Sequence, residues 1–290
     1  MSETLDLAPT HANILQESQP AYYLPAHPDA RRLTAQEVAA YHEKGYLKNL
    51  PVLGPEAVRE LQQAFQFLLG SLPDEIEISR VNNWHKANRW INDLTRHPVI
   101  LAYVEGLLGP DFYHWGAQFF VKKPGHGMVV PMHQDGDYWP LEPHLTTTVW
   151  LAFYDTDAGN GAMKVLPGSH RQGAIDHQAA EDVNSVLGKQ IRSEDIDEEQ
   201  LVHLDLKAGE ISLHTDQIIH GSEPNRSDRI RVGLALRYSP CEVRCDLSKQ
   251  PTFESYQVHG VDQLRLNPVG KIPREYGYPT TTYQPSSVFE

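Results

Sequence analysis

The sequence predicts a mainly β fold with flanking helices (α+β), with a jelly-roll barrel as its core. Two observations support this fold class. From Phe112 onward, short segments rich in β-branched and aromatic residues, such as 117–122, 146–154 and 231–238, alternate with Gly and Pro turns, which is typical of closely spaced strands. Before that point, apolar residues recur at helical spacing. Helices therefore precede the barrel in the chain.

A single catalytic domain is expected, because 290 residues can bury one large core. Within it we distinguish an N-terminal arm (1–30), a mainly helical layer (31–110), the jelly-roll core (111–240) and a C-terminal extension (241–290). An acidic stretch at 179–201 resembles an insertion between strands. For this stretch, a solvated face is favoured over a functional lid.

Two helices are predicted in the helical layer. Thr34 and Glu37 form a capping box, and Gly45 is a stop signal, so a helix is expected over 34–44. A second helix is expected to begin near Pro55, since proline suits a first turn. Its apolar residues at helical spacing form a core stripe: Val58, Leu61, Phe65 and Leu68.

The formal net charge of -13 argues against a nucleic-acid partner, because such binding depends largely on Lys and Arg. The two cysteines, Cys241 and Cys245, are too few for a disulfide framework or a thiolate zinc site. Neither a signal peptide nor a membrane-spanning apolar run is seen. We therefore expect a cytoplasmic protein with a small-molecule substrate and no membrane partner; the oligomeric state is not indicated.

A metal site is predicted from three residues. His133 and Asp135 are two apart, so on an extended strand they project to the same side. His220, on a later predicted strand, offers a third ligand, and His214 on the same segment is the second choice. Two imidazoles and one carboxylate leave three octahedral positions open, which suits Fe(II) oxygen chemistry. A bidentate 2-oxoacid and O₂ would fill those positions.

Arg231 is the candidate for binding an anion near this metal. It opens an apolar strand eleven residues beyond His220, where a guanidinium inside the barrel would bind a carboxylate at two points. The alternative is a surface position, as for its neighbours Arg226 and Arg229. An H-x-D tripeptide alone arises often by chance among fifteen histidines and thirty-eight acids. The surrounding motifs therefore decide the assignment.

These motifs, taken in order, resemble the phytanoyl-CoA dioxygenase family. They are H-x-D-x-x-Y at 133–138, Trp150, N-G-A-M-K-V-L-P-G-S-H at 160–170, and H-G-S at 220–222 followed by Arg231. The resemblance extends over roughly residues 33–238 and is specific in the combination. His170 in the P-G-S-H turn is expected to be structural.

The resemblance implies a double-stranded β-helix, the cupin-like form of the jelly roll. It implies Fe(II) as the metal, with 2-oxoglutarate and O₂ as co-substrates. The implied iron ligands are His133, Asp135 and His220. The implied co-substrate residues are Arg231, which pairs with the distal carboxylate of 2-oxoglutarate, together with Trp150, Gln118 and Ser222. Halogenating relatives lack the carboxylate ligand, so Asp135 favours hydroxylation or a related oxidation.

Substrate contacts are expected from two segments. One directly follows the metal motif and the other precedes the barrel: Asp137, Tyr138, Trp139, Asn83, Trp84, His85 and Arg89. For Asp137, a hydrogen bond to a ligand histidine is an equally good interpretation. For Trp84, packing within the helical layer is the alternative, and for His85 a surface position.

The sequence thus predicts an Fe(II)- and 2-oxoglutarate-dependent dioxygenase. We expect it to hydroxylate a small polar metabolite or natural-product intermediate, with release of succinate and CO₂. Desaturation, epoxidation or ring formation by the same site is an alternative. The rival functions are a non-redox, divalent-metal cupin-type hydrolase or isomerase, and a sensing barrel without catalysis.

Overall fold

The computed structural model describes residues 23–182 and 185–279, so most of the predicted N-terminal arm lies outside the described residues. The helices within these ranges are α1 Ala35–Lys44, α2 Pro55–Ser71, α3 Arg89–Leu94 and α4 Pro98–Leu108. In the described ranges, no helix has both the length and the apolar character needed to cross a membrane.

Helix α1 begins and ends as its sequence predicts. The Thr34 hydroxyl accepts a hydrogen bond from the backbone N–H of Glu37, and the Glu37 carboxylate accepts one from the backbone N–H of Thr34. Gly45 ends the helix in the left-handed region at φ 83°. A side chain there would also collide with His170, because an added Cβ would lie 2.6 Å from its Nδ1. The capping box and the glycine stop are confirmed.

The described part of the chain also contains fourteen strands. Their bounds are β1 Tyr46–Pro51, β2 Phe112–Lys122, β3 Val130–His133, β4 Leu141–Glu142, β5 Thr147–Ala152, β6 Met163–Val165, β7 His177–Ala179, β8 Lys189–Ile191, β9 Val202–His203, β10 Glu210–Thr215, β11 His220–Ser222, β12 Arg231–Pro240, β13 Arg244–Cys245 and β14 Tyr256–His259. The three predicted strand segments correspond to β2, β5 and β12.

The strands pair into two main sheets. The six-stranded sheet has the order β1-β10-β5-β12-β2-β14, and the four-stranded sheet has the order β3-β11-β6-β9. Every pairing in both sheets is antiparallel. Two small two-stranded pairs, β13-β4 and β7-β8, complete the pattern. Two facing antiparallel sheets with neighbours distant in sequence confirm the jelly-roll, cupin-like fold.

One face of the six-stranded sheet packs against the helical layer. Phe119 of β2 contacts Phe65 of α2 with ring centroids 5.4 Å apart and Phe153 at 5.6 Å. On β12 the alternate residues Val232 and Leu234 join the same core cluster. Phe65 belongs to the predicted stripe of α2, whose four residues are all buried. The helical layer thus covers the back of the sheet, and the other face is left for a site.

Candidate metal centre

The metal site depends on the pairing of two short strands in the four-stranded sheet. His133 is the last residue of β3 and His220 the first of β11, and they are direct partners in the antiparallel register. Their ring centroids lie 4.2 Å apart. Gln134 is extended, and Asp135 then starts a 3₁₀ turn over Asp135–Asp137. The strand therefore ends earlier than expected, but Asp135 still lies beside the two histidines.

These three residues present converging donor atoms. One ligand atom from each of His133, Asp135 and His220 lies within 4.8 Å of the other two. Nε2 of His133 is 3.5 Å from Asp135 Oδ1, and Nε2 of His220 is 4.0 Å from Asp135 Oδ2. A buried set of two imidazoles and one carboxylate has the donor chemistry of an Fe(II) facial triad. The residues present therefore fit the implied metal.

Both histidines are oriented by backbone carbonyls two residues earlier in the chain. Nδ1 of His133 lies 2.8 Å from the Pro131 carbonyl oxygen, and Nδ1 of His220 lies 3.1 Å from the Ile218 carbonyl oxygen. A carbonyl accepts but cannot donate, so in each ring Nδ1 carries the proton. Each Nε2 therefore keeps its lone pair for a metal ion.

The electrostatics of the site favour its metal-binding protonation states. Burial opposes ionisation of Asp135, but the adjacent His133 and His214 and the charges of His220 and Arg237 bring its pKa well below the usual value. Burial, followed by repulsion from His133, lowers the pKa of His220 well below its usual value. At neutral pH the site thus holds a carboxylate and a neutral imidazole, as a metal requires.

His214, the second choice for the distal ligand, lies beside the site on β10. Its Nε2 is 3.9 Å from Asp135 Oδ2, beyond hydrogen-bond range, and its ring centroid is 4.8 Å from that of His220. Within residues 23–182 and 185–279, the converging donor set comprises His133, Asp135 and His220 without it. His214 instead forms part of the wall of the cavity.

Arg231 enters the barrel and is almost completely buried, with 2% of its surface exposed. Its guanidinium stacks over Trp150, 5.0 Å from the ring centroid. In the described part of the chain, Nε and Nη1 of Arg231 have no hydrogen-bond partner. Burial lowers the pKa of Arg231 to about 10, so the group is still a cation at neutral pH. Because an unpaired buried charge is costly, an anion such as a 2-oxoglutarate carboxylate fits here.

Two further predicted co-substrate residues line the same cavity. Gln118 donates from Nε2 to the Ser79 carbonyl at 3.1 Å and accepts at Oε1 from Arg237 at 3.2 Å. Ser222 lies on β11, two residues after His220. Its hydroxyl accepts a hydrogen bond of 2.8 Å from Nζ of Lys122.

Lys122 was missed by the sequence analysis. It is a buried lysine on β2, directly opposite Arg231 in the register, and it also donates to the backbone carbonyls of Ser222 and Glu223. Burial, followed by repulsion from Arg231, lowers the pKa of Lys122 to about 6. The sequence pattern that could have identified Lys122 is its alternation with Gln118 and Phe120 on β2, which places all three on the inner face.

The cavity next to the metal site has a volume of about 1420 Å³. The predicted residues Asp137, Tyr138, Trp139 and Asn83 line it. Asp137 forms an ion pair of 3.0 Å with Lys189, and the Tyr138 hydroxyl donates to the Lys189 carbonyl at 3.1 Å. These contacts join the 3₁₀ turn that begins at Asp135, with the residue after it, to the β7–β8 hairpin.

Three residues predicted to contact substrate do not line this cavity, and those predictions are corrected. Trp84 is fully buried in the helical-layer core, with its ring edge-on to Phe119 at 5.5 Å. His85 is also fully buried and packs edge-on against His114 at 4.5 Å, so it is not a surface residue. Arg89 forms an ion pair with Asp93 one helical turn away, at 2.8 Å.

Other parts of the cavity wall were not predicted. Residues 185–188 of the acidic stretch line the cavity, so this part is more than a solvated face. The C-terminal extension contributes Tyr278, since it returns to α3 where Asn88 Nδ2 donates to the Gly277 carbonyl at 3.0 Å. Arg237, Thr148 and Trp115 also belong to the lining.

Several relatives are similar to this chain in sequence. A dioxygenase-domain-containing homologue from Dictyostelium discoideum is 32% identical over 127 residues, 42% of this chain and 45% of that protein. The peroxisomal phytanoyl-CoA dioxygenase of Bos taurus is 26% identical over 216 residues, 73% of this chain and 61% of the relative. The chain thus spans less than two thirds of either relative's length. A probable alpha-ketoglutarate-dependent hypophosphite dioxygenase from Stutzerimonas stutzeri is 25% identical over 270 residues, 86% of this chain and 94% of its own.

Solved structures agree with the fold. The apo form of the non-heme monooxygenase ThoJ is similar with a TM-score of 0.68 and 26% identity, covering 82% of this chain and 89% of its own. CytC3 with Fe(II) and alpha-ketoglutarate has a TM-score of 0.63 at 21% identity, and the match covers 88% of this chain and 99% of the CytC3 chain. The sequence model for the Phytanoyl-CoA dioxygenase (PhyH) family matches residues 41–233, more than half of the chain. This protein is therefore a member of the phytanoyl-CoA dioxygenase family.

Proposed function

We propose that this protein is an Fe(II)- and 2-oxoglutarate-dependent dioxygenase that oxidises a small organic substrate, with hydroxylation as its default outcome. One observation carries the proposal. The His133, Asp135 and His220 donor set and the buried, unsatisfied guanidinium of Arg231 face one cavity in the described part of the fold. A cluster with only a structural role would not require a buried guanidinium with unsatisfied N–H groups beside the cavity.

In this proposal the three converging side chains hold Fe(II), and Arg231 pairs with the distal carboxylate of 2-oxoglutarate. Trp150 packs against that co-substrate, and Ser222 donates a hydrogen bond to it. When bound, Fe(II) and 2-oxoglutarate supply the oxidising chemistry from O₂, with 2-oxoglutarate converted to succinate and CO₂.

The protein groups themselves bind and position. No acid–base residue is needed to activate the substrate; the cavity holds the substrate carbon near the metal, and its aromatic walls exclude water. Asp137 and Tyr138 line the cavity and are held in place by contacts with Lys189 of the β7–β8 hairpin. Asp137 and Tyr138, with Trp139 and Asn83, are the proposed substrate contacts.

Hydroxylation is the default because Asp135 occupies a metal position that a halide would need. Proteins of similar fold catalyse other reactions, since SnoK is a carbocyclase and SnoN an epimerase, at 23% and 20% identity to this chain. The Stutzerimonas stutzeri relative, which is matched over 94% of its length, is named for hypophosphite, a small oxyanion. That name supports a small, polar substrate for this chain.

The test is a visible-absorption titration under anaerobic conditions. Fe(II) and then 2-oxoglutarate are added to metal-free wild type, His220→Ala and Arg231→Ala, with His126→Ala and Arg226→Ala as exposed, matched controls. Wild type and both controls are expected to show a metal-to-ligand charge-transfer band. His220→Ala should lose it, because even loss of an outer-shell group costs about 10–100-fold in metal affinity.

Arg231→Ala should keep the band but need about 100-fold more 2-oxoglutarate, as expected for loss of a buried charge partner. Succinate release then provides the screen for substrates. If folded, iron-loaded wild type gives no band, 2-oxoglutarate chelation is wrong, and a non-redox metal barrel becomes the better interpretation.

A further inference from the structure

A row of three polar side chains crosses the cavity face of the six-stranded sheet next to the metal centre. His214 of β10 is the direct register partner of Thr148 of β5, and Thr148 is the direct partner of Arg237 of β12. Registered partners on neighbouring strands project to the same face. All three line the cavity, and we call them the polar row.

Two members of the polar row have unsatisfied polar atoms. Thr148 Oγ1 and His214 Nδ1 have no hydrogen-bond partner among residues 23–182 and 185–279. Thr148 is 1% exposed and His214 2% exposed. Since most buried polar atoms in native proteins are satisfied, two such atoms in one row indicate that a ligand completes them.

The third member, Arg237, brings a rigidly held positive charge. Its guanidinium lies 4.9 Å from the ring centroid of Trp139 and 5.8 Å from that of Trp115. Nη2 donates to Gln118 Oε1 at 3.2 Å, which fixes the plane of the group. A guanidinium stacked on aromatic faces is pre-organised to bind two oxygens of an oxyanion.

The polar row lies away from the residues proposed to bind the distal carboxylate of 2-oxoglutarate. Arg231 and Arg237 are six residues apart on β12, which is about 20 Å along the strand at ~3.3 Å per residue. Arg231 stacks on Trp150, which clusters with Ala235. Arg237 stacks on Trp139 and Trp115, which belong to a different cluster with Leu141 and Phe253. The two arginines therefore mark opposite ends of one cavity.

We propose that the polar row binds an anionic group of the organic substrate, a carboxylate or a phosphonate, and that the substrate of this protein is accordingly an organic anion. The proposal rests on the proposed function. Arg237 would supply two-point binding of the oxyanion, and Thr148 and His214 would donate to it. Trp115 and Trp139 would pack against the adjoining carbon skeleton, so that its reactive carbon lies towards the metal ligands.

The test compares charged and neutral probes of the same shape. Benzoate, phenylphosphonate and benzamide are titrated by calorimetry into anaerobic protein loaded with Fe(II) and 2-oxoglutarate. Wild type is expected to bind the two anions at least about tenfold more tightly than benzamide. Arg237→Gln should remove this preference, Thr148→Val should reduce it several-fold, and Arg237→Lys should retain part of it.

Arg244→Gln, at an exposed arginine of β13, is the matched control and should bind the probes as wild type does. Equal or undetectable binding of charged and neutral probes by wild type would overturn the proposal. So would an Arg237→Gln protein whose need for 2-oxoglutarate rises as much as that of Arg231→Ala, because Arg237 would then belong to the co-substrate site.

The titration is repeated without iron and 2-oxoglutarate. A preference for anions that persists there supports the polar row even if the charge-transfer band never forms. Failure of the proposed function and failure of this inference are thereby separate results.

Discussion

The two faces of the six-stranded sheet use the same strands for different purposes. On β12, Val232 and Leu234 face the helical layer and are fully buried in apolar contacts. On either side of them along the strand, Arg231 and Arg237 face the cavity with stacked guanidinium groups. Because successive side chains alternate between faces, one ten-residue strand carries both stability and binding. Substitutions on the two faces should therefore separate these properties.

The largest effect on stability is expected for Phe119→Ala on the helical face. Its ring packs against Phe65, Trp84 and Phe153, so truncation leaves a cavity and should cost about 3–5 kcal/mol of unfolding free energy. Urea unfolding measures this loss. The exposed Phe67→Ala on the same helix as Phe65 should change stability by less than about 0.5 kcal/mol.

Folded Phe119→Ala should still form the charge-transfer band with Fe(II) and 2-oxoglutarate. A band lost while the protein remains folded would show that the two faces are coupled, and the comparison would fail.

Gly233→Ala tests the cavity face of the same sheet. A Cβ at Gly233 would lie 1.8 Å from Cζ2 of Trp150, so the indole must move. Overpacking should cost about 1–3 kcal/mol, and displacement of Trp150 should weaken 2-oxoglutarate binding. Gly70→Ala, where nothing lies within 4 Å of the added carbon, is the control and should bind 2-oxoglutarate normally. Unchanged binding in Gly233→Ala would remove Trp150 from the proposed site.

Packing on the helical face should also make the unfolding free energy depend on pH, through His114. Burial lowers the pKa of His114 from 6.5 to about 3, so between these values the unfolded chain binds a proton that the folded protein does not. This contribution to stability is complete above pH 6.5 and declines as the pH falls, by about 1.4 kcal/mol per unit.

His114→Phe keeps an aromatic ring without a titratable group. It should reduce the slope of the unfolding free energy against pH by an amount that corresponds to about one proton. Urea unfolding near pH 7 and about pH 5.5 measures it. Some slope should remain, because burial also lowers the pKa of the adjacent His85. An identical slope in wild type and His114→Phe would contradict the assignment.

The smallest effect is expected for Ser222→Ala. The substitution removes the hydroxyl that accepts from Lys122 Nζ at 2.8 Å, but Lys122 keeps its bonds to two backbone carbonyls. A loss of about 1 kcal/mol in the free energy of 2-oxoglutarate binding should raise the concentration of 2-oxoglutarate needed several-fold. Ser248→Ala at an exposed site provides the control. A loss as large as that of Arg231→Ala would mean that Ser222 also positions the metal ligand His220.

The sequence predicted what depends on local patterns. The capping box of Thr34 and the buried stripe of α2 were correct because they depend on residues within one helix. The jelly roll and the family were also correct. The convergence of His133, Asp135 and His220 followed from motif order, although their side-by-side placement depends on a register that spacing alone does not fix.

What the sequence did not predict depends on irregular backbone. Trp115 and Gln118 both line the cavity although they are three apart, which unbroken alternation forbids. A register shift between Arg237 and Tyr238, opposite Gly116 and His114, explains it, because a bulge changes the face that later residues present. The substrate-contact predictions for Trp84 and His85 have another explanation, since a short 3₁₀ turn buries both side chains beneath the sheet. For Trp84 this burial matches the alternative of packing within the helical layer, whereas the burial of His85 was not predicted.

The direct pairing of His133 with His220 also bears on how the chain folds. A slip of one residue between β3 and β11 would turn one imidazole to the opposite side of the sheet. A misaligned chain would then lack the chelate, and metal added during refolding would stabilise only correctly aligned molecules. Metal binding would thus favour the native register of β3 and β11. The amount of iron bound during refolding would measure the fraction of molecules in that register.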